Sequence, residues 1–372
     1  MLHSFLITGL TWLYINSWFV FGIEEGVITK LQIFRNFLFA SKKLPSSAVL
    51  LVNTSKDISL AKDPAEYGDL AITDRFKLLQ FLQRIDTIRP RPEFILCDLL
   101  FDIKTPCDSM IQLELNKIRN IVIPYPSTEG RITTPVLKAA TGLAQYATNN
   151  GSFIKMPLIG NDSLKSLPVL MDEMINKKHY SHNRFFTFCD RTVSLNYIIP
   201  DYYIRPFEFL NDNKYPFLNL GELVDPSMDD QSFKEYVGNR YVMIGNFYND
   251  IHATPIGRVP GPVILFDSFL SLQYNRHTIS IGWVLLLIIY FAAISYIAFY
   301  CRLPKWHLQK QGILSPLVES LVSKYLSFFG MILLLSLISL FVFGIPIGIL
   351  IVSLYFSLIN YISQKKIHDQ ND

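Results

Sequence analysis

Arg240 to Asn275 reads RYVMIGNFYNDIHATPIGRVPGPVILFDSFLSLQYN, and the order of its parts decides the fold. Tyr241-Val242-Met243-Ile244 is a short apolar run closed by Gly245, the pattern of a buried strand and its exit. A polar loop follows, holding Asn246, Asn249, Asp250, His252 and Thr254. Pro255, Gly257, Pro260 and Gly261 punctuate the way into an apolar segment, Val263 to Leu272, with Leu265, Phe269 and Leu272 at helical spacing. Strand, loop and helix in that order is where α/β proteins hold ligands, just beyond the strand's carboxyl end. At Ile281 a long uncharged run begins, so one short segment joins a candidate site to a candidate membrane helix.

Working outward, strands and helices alternate. Ala48 to Val52 predicts a strand, and Asp74 can cap a helix whose Leu78, Leu79, Leu82 and Ile85 recur at helical spacing. Glu93 to Phe101 predicts a second strand interrupted by Asp98, an acid that is expensive to bury unless paired. A helix bearing Ile111, Leu115 and Ile118 and a strand at Asn120 to Pro124 follow. Val136, Leu137, Ala140, Leu143 and Ala144 predict a helix over Thr134 to Tyr146. Gly151 to Ile159 is extended, Pro168 opens a helix to Ile175, Arg184 to Ile204 has strand character, and Gly221 to Gly238 reads as turn and helix. The alternation predicts an α/β fold, a mixed, mostly parallel sheet with helices on both faces, plus transmembrane α-helices.

With 50% hydrophobic and 17% charged residues, the 372-residue chain is too apolar for an ordinary soluble enzyme. The excess is localised. Ile281 to Cys301 holds 21 residues without a charge, enough to cross a hydrocarbon core of about 30 Å. Ser327 to Ile362 is also uncharged and long enough for two spans, 327–344 and 345–362, with Gly344-Ile345-Pro346 as the turn. Residues 1–23 lack the basic n-region and small-residue site of a signal peptide and read as an uncleaved anchor. The connector 302–326 carries Arg302, Lys305, Lys310 and Lys324 against Glu319, which predicts a cytoplasmic connector and residues 24–280 outside. The tail 363–372 is expected on the cytoplasmic side.

The signature residues are Ile244-Gly245, Asp250, Thr254-Pro255-Ile256-Gly257 and Pro260-Gly261, with Asp98 and Phe101 in the earlier strand. In these residues and in its order of spans the chain resembles the type-two CHASE domain, the extracytoplasmic sensor of bacterial transmembrane receptors. The resemblance covers roughly residues 25–280. Where family members often place a His at the start of the helix after the Pro-Gly, this chain has Leu265 or Phe266. The resemblance implies a multi-pass protein of the bacterial inner membrane that binds an extracytoplasmic ligand or partner. Family receptors commonly continue into an output enzyme; here only Ser363 to Asp372 follows the last span, so a signal is expected to pass to a separate partner protein.

No Walker loop, G-x-S-x-G, G-x-G-x-x-G or H-E-x-x-H occurs, so no enzyme activity and no cofactor are expected. A net charge of +3 without a basic, aromatic-interleaved patch argues against nucleic acid. Four cysteines form no C-x-x-C pair, although a Cys107–Cys189 disulfide is chemically permitted outside the cytoplasm. The candidate ligand-binding residues are Asp98, Asn246, Asp250, His252 and Thr254. Asp250 and His252 are the most reactive pair; with Asp98 they can hold a ligand, and each can equally hold a turn or satisfy backbone donors. Thr254 before Pro255 is most simply a turn residue. A membrane-anchored extracytoplasmic hydrolase is the alternative function, and a transporter is disfavoured because the later spans carry no charge.

Overall fold

The computed structural model describes residues 1–39, 45–62, 68–128, 131–160, 163–183, 185–301 and 316–369. Along the chain come strands β1 (Val49–Asn53), β2 (Phe94–Asp98), β3 (Ile121–Pro124), β4 (Ala140–Gly142), β5 (Ser152–Pro157), β6 (Phe217–Asn219), β7 (Tyr241–Gly245), β8 (Ile251–Thr254) and β9 (Gly257–Pro260). The principal helices are α1 (Leu2–Ile15), α2 (Ile23–Phe39), α3 (Arg75–Thr87), α4 (Asp108–Lys117), α5 (Leu167–Asn176), α6 (Asp230–Val237), α7 (Gly261–Gln273), α8 (Ile281–Tyr300), α9 (Pro316–Ile338) and α10 (Leu350–Asp369).

Six strands form a sheet in the order β6-β1-β7-β2-β3-β4, and every pairing within it is parallel. β1 and β7 are buried at every residue, which is why they read as continuous apolar runs. One face packs Leu50, Val52, Ile95 and Val242 against α3, α4 and α6; the other packs Val49, Leu51, Leu96 and Met243 against α5 and α7. Asp74 caps α3 as its sequence predicts, accepting from the backbone N–H groups of Phe76 and Lys77. The register sets Asn53, Gly245 and Asp98 side by side at the sheet's carboxyl edge.

A smaller sheet stands beside this edge. β8 and β9 form an antiparallel hairpin whose Thr254 pairs with Gly257, and β8 meets β5 in parallel at Ala253 and Ser152. A short strand, Ala147–Asn149, pairs antiparallel with β5. The stretch 246–260, expected as a loop, is thus largely a hairpin. Gly257 (φ +115°) supplies the backbone conformation its turn requires.

Three expectations are corrected. Residues 134–146 are extended rather than helical, with β4 on the sheet edge; Pro135, Thr141 and Gly142 outweigh the helical spacing of the apolar residues. A Cβ at Gly142 would sit 2.9 Å from the backbone nitrogen of Leu167, so glycine there admits the start of α5. The first apolar run is not one helix to residue 23. It ends at Ile15, where Asn16 donates to the Trp12 carbonyl (3.1 Å) and accepts from the Asn196 backbone N–H (2.7 Å). The last uncharged run does turn at Gly344, which has φ +79°, but α10 begins only at Leu350 and α9 begins before residue 327.

Among the described residues, two helices are long and apolar enough to cross a membrane, Ile281–Tyr300 and Val322–Phe343; Leu2–Ile15 and Leu350–Gln364 are apolar but shorter. The four pack around Trp283, Leu287, Phe291, Phe328, Ile332 and Phe356. His3 of α1 reaches into this bundle, with Nδ1 2.7 Å from the Ser295 hydroxyl and Nε2 2.9 Å from that of Tyr355. Most of the basic connector lies outside the described residues. Cys107 and Cys189 are both free thiols.

α7 is buried along its length from Gly261 to Leu272. A helix with only an apolar stripe would leave one side wet; this one runs between the sheet, α5 and a layer carrying Tyr202 and Phe209. Most of its polar groups are met internally, Asp267 through one of its two carboxylate oxygens. Asp267 accepts from the Ile204 N–H (3.0 Å), Ser268 donates to the Ile264 carbonyl (2.8 Å), and Ser271 accepts from the Asp201 N–H (3.0 Å).

Candidate functional site

A cavity of about 610 Å³ opens at the carboxyl edge of the parallel sheet, beneath the β8–β9 hairpin. Its wall is mainly apolar, including Leu99, Ile103, Leu143, Phe153, Ile264 and Leu265. Asp98, Asp102, Asn246, Asp250, His252 and Tyr146 supply polar groups, with Thr73, Tyr125 and Gln145 further along the wall, and no Lys or Arg lines it among the described residues. The size and the mix of a broad apolar wall with a few convergent polar groups are those of small-molecule sites.

The polar groups form a chain and an isolated acid. His252 Nε2 lies 3.0 Å from Asp250 Oδ1, and its Nδ1 lies 2.8 Å from the Tyr146 hydroxyl. A neutral imidazole fits this by donating from Nε2 to the carboxylate and accepting the phenol proton at Nδ1. Asp250 is fixed from behind: a Cβ at Gly261 would overlap its Oδ2, so the acid sits directly against the first residue of α7. A carboxylate is favourable there, beside the positive end of a helix. Asp98, the last residue of β2, has no hydrogen-bond partner for its carboxylate among the described residues and faces the cavity.

Electrostatics follow from this geometry. Burial, and then the nearby Asp250 charge, push the Asp98 carboxyl up to about 7, with His252 opposing them. The hydrogen bond that His252 donates to Asp250 raises the imidazole above its usual value against the opposing effect of burial. Burial, helped by Asp250, raises the Tyr146 phenol. Near neutral pH the site therefore holds a carboxyl poised to change charge, and it carries no fixed cation to neutralise it.

Of the residues singled out in the sequence, Asp98, Asn246, Asp250 and His252 come together around the cavity. Asn246 also organises the turn, accepting from the N–H groups of Tyr248 (3.3 Å) and Asn249 (2.9 Å). Thr254 does not join them. It lies outside this cavity's lining, and its hydroxyl donates to the Gly257 carbonyl at 2.7 Å and closes the hairpin turn. No group of three His, Cys, Asp or Glu side chains that could hold a metal ion occurs among the described residues. Tyr146 escapes a reading of the sequence because 106 positions separate it from His252 and its segment was expected to be helical.

The far end of α7 leads to the bundle. After Gln273 the chain passes through Arg276, ion-paired with Asp201 (3.4 Å), and His277, fully buried with Nε2 2.9 Å from the Tyr180 hydroxyl. Tyr180 donates in turn to Asp172 at 2.5 Å, and Lys178 stands 3.2 Å from the same carboxylate. Ser280 then caps α8 by accepting from the Trp283 N–H (3.2 Å). This chain matches no family model, no curated protein and no solved structure.

Proposed function

We propose that the chain is a membrane-anchored sensory protein of the kind its CHASE-like signature implies, whose outer domain binds a small apolar molecule bearing a positive charge. The four apolar helices lie in the bacterial inner membrane with the α/β domain outside, and they pass the bound state to a separate partner by lateral contact. The carrying observation is α7: Gly261, Ile264 and Leu265 line the cavity at one end, and seven residues after the other end Ser280 caps α8. A rod buried on all sides transmits displacement better than a surface helix, because close-packed surroundings do not absorb it. The ligand's class is argued from three carboxylates, one imidazole and an apolar wall that no Lys or Arg lines among the described residues. Such a ligand shifts the helix only by its differential affinity for two arrangements of the site.

The hydrolase reading is weaker. No Ser or Cys lines the cavity among the described residues, His252 is bonded to Asp250 and Tyr146 rather than to the lining Thr73, and the raised Tyr146 phenol opposes the phenolate a nucleophile needs. The test is a thermal-shift screen of the full chain in nanodiscs with amine-bearing apolar compounds, repeated on Asp250→Asn. Saturable stabilisation that Asp250→Asn abolishes is expected. Stabilisation that survives Asp250→Asn, or turnover without stabilisation, overturns the reading. Cysteines introduced at Ser181 and Gly312 should label from outside and inside respectively; the reverse pattern overturns the topology.

A further inference from the structure

α2 is amphipathic in the inverted sense. Of its buried residues Glu24, Glu25, Ile28, Thr29, Gln32 and Arg35, five are polar. Of the seven exposed ones, six are apolar: Ile23, Val27, Phe34, Phe37, Leu38 and Phe39, the seventh being Lys30. Phe34 is 52% and Phe37 76% exposed. In water this orientation is the wrong way round, since burying the charged stripe costs desolvation while the aromatic stripe gains nothing.

The polar face has a definite place. The Glu24 carboxylate accepts from the backbone N–H groups of Ile349 and Leu350, at the start of α10. Arg35 approaches Gly344, where the helix breaks, and Gly26 lies against Pro255 of the hairpin. α2 is therefore wedged where the α/β domain meets the bundle, with its polar side turned to both. Its apolar side is continuous with the bundle's outer surface at each end. Before it come the exposed Leu10 and Leu13 of α1, then Trp18 and Phe19; beyond it, Phe39 packs on Phe341 with ring centroids 6.1 Å apart, beside exposed Val342.

We infer that α2 lies in the plane of the membrane surface, with Val27, Phe34, Phe37 and Leu38 submerged among the lipid acyl chains and Lys30 reaching the phosphates. An apolar face joined at both ends to lipid-facing helices, with aromatics flanking it and one cation on it, is the chemistry of an interfacial helix. A helix of 17 residues so placed sets the height of the α/β domain above the bilayer. The domain's hairpin then rests on a floor held by lipid.

The inference rests on the reading of the four apolar helices as membrane-embedded, and the test separates the two. The photoreactive analogue p-benzoylphenylalanine is placed singly at positions 34, 37, 285 and 76 of the full chain. The protein is reconstituted in vesicles of phosphatidylcholine and phosphatidylglycerol, irradiated, and analysed by intact mass. Leu285 is an exposed position on α8 and Phe76 an exposed one on α3. Lipid adducts at 34 and 37 as strong as at 285, with none at 76, are expected. Adducts at 285 alone overturn the inference and leave the membrane reading standing, and none at any position overturns both. Crosslinks from 34 or 37 to a second copy, seen as a dimer on a gel, show a protein partner on this face and likewise overturn it. The analogue preserves the aromatic ring of Phe34 and Phe37, and unchanged thermal unfolding of each labelled chain shows that the fold is retained.

Discussion

At one end of α7 the Asp98 carboxylate faces a cavity with no hydrogen-bond partner among the described residues; at the other, Asp172 is held by three groups. Tyr180, Asn176 and Lys178 approach it at 2.5, 2.6 and 3.2 Å, and it has no solvent exposure. Asp201 near the same end is also paired, accepting from the Tyr203 hydroxyl (2.8 Å) and facing Arg276 (3.4 Å). Folding alone accounts for the second arrangement, because an acid taken out of water must be paired. It does not account for the first. An acid left unpaired beside an apolar cavity is a cost that a ligand can relieve, which is the physical basis for placing binding at Asp98 and anchoring at Asp172.

The largest expected effect falls on the anchored end. Asp172→Ala strands Lys178 and Tyr180 in a dry environment and should destabilise the domain by about 3–5 kcal/mol in chemical unfolding of the full chain. A loss under about 1 kcal/mol would erase the contrast between the two ends.

Asp98→Asn should do the opposite. The folded carboxyl is raised to about 7 from an ordinary value near 3.8, so the folded state holds a proton that the unfolded state has released. Stability from this group is full at pH below about 4, falls as pH rises, and is lost above about 7. At pH 8 the amide should therefore stabilise the protein by about 2–4 kcal/mol, and unfolding of Asp98→Asn should lose the pH dependence between 4 and 7. Destabilisation at pH 8 would mean that the acid has a structural partner after all.

His252→Ala is expected to cost only about 1 kcal/mol while removing ligand-dependent stabilisation, because one exposed-side hydrogen-bond chain is lost. The imidazole's folded value is raised by Asp250. Its contribution is thus complete below the ordinary imidazole range and fades as pH climbs through the raised value; the alanine variant should lack that slope. The smallest effect belongs to Thr254→Val, about 0.5–1 kcal/mol from the lost turn bond, with ligand-dependent stabilisation untouched. A change in ligand response there would extend the cavity's influence into the turn.

The contrast between the ends was only half legible in the sequence. Tyr241–Gly245 and the helix after Pro260-Gly261 announce themselves by apolar run and punctuation, and Asp98 stands out as the one acid in an apolar strand. Parallel pairing then brings Asp98 and Gly245 together without further information. Residues 134–146 misled because a buried residue every three or four positions suits a helix and an irregular edge strand alike, and this hid Tyr146. The hairpin at 251–260 was signalled only by Thr-Pro-Ile-Gly, whose polar strand residues lack strict alternation. The Asp172–Tyr180–His277 network depends on three separate elements meeting, and no local pattern encodes that. The charges and aromatics of α2 are plain in the sequence, but which face turns inward depends on what surrounds it.

The hydrogen bonds that join Glu24 to Ile349 and Leu350 also bear on how the molecule is assembled. Between α9 and α10 the backbone leaves its helix; Ser339 and Ser336 donate to the carbonyls of Ile345 and Ile347 at 2.6 and 2.9 Å, but the amides opening α10 look to Glu24. A ribosome releases residue 24 long before residue 349, so on the membrane reading proposed above the last helix pair would stay unfinished until an early segment docks against it. Unmet amides in apolar surroundings cost several kcal/mol each. Assembly should therefore be concerted between sequence-distant segments, and a chain whose α2 is displaced should present its final hairpin to quality-control proteases as an unfinished insertion.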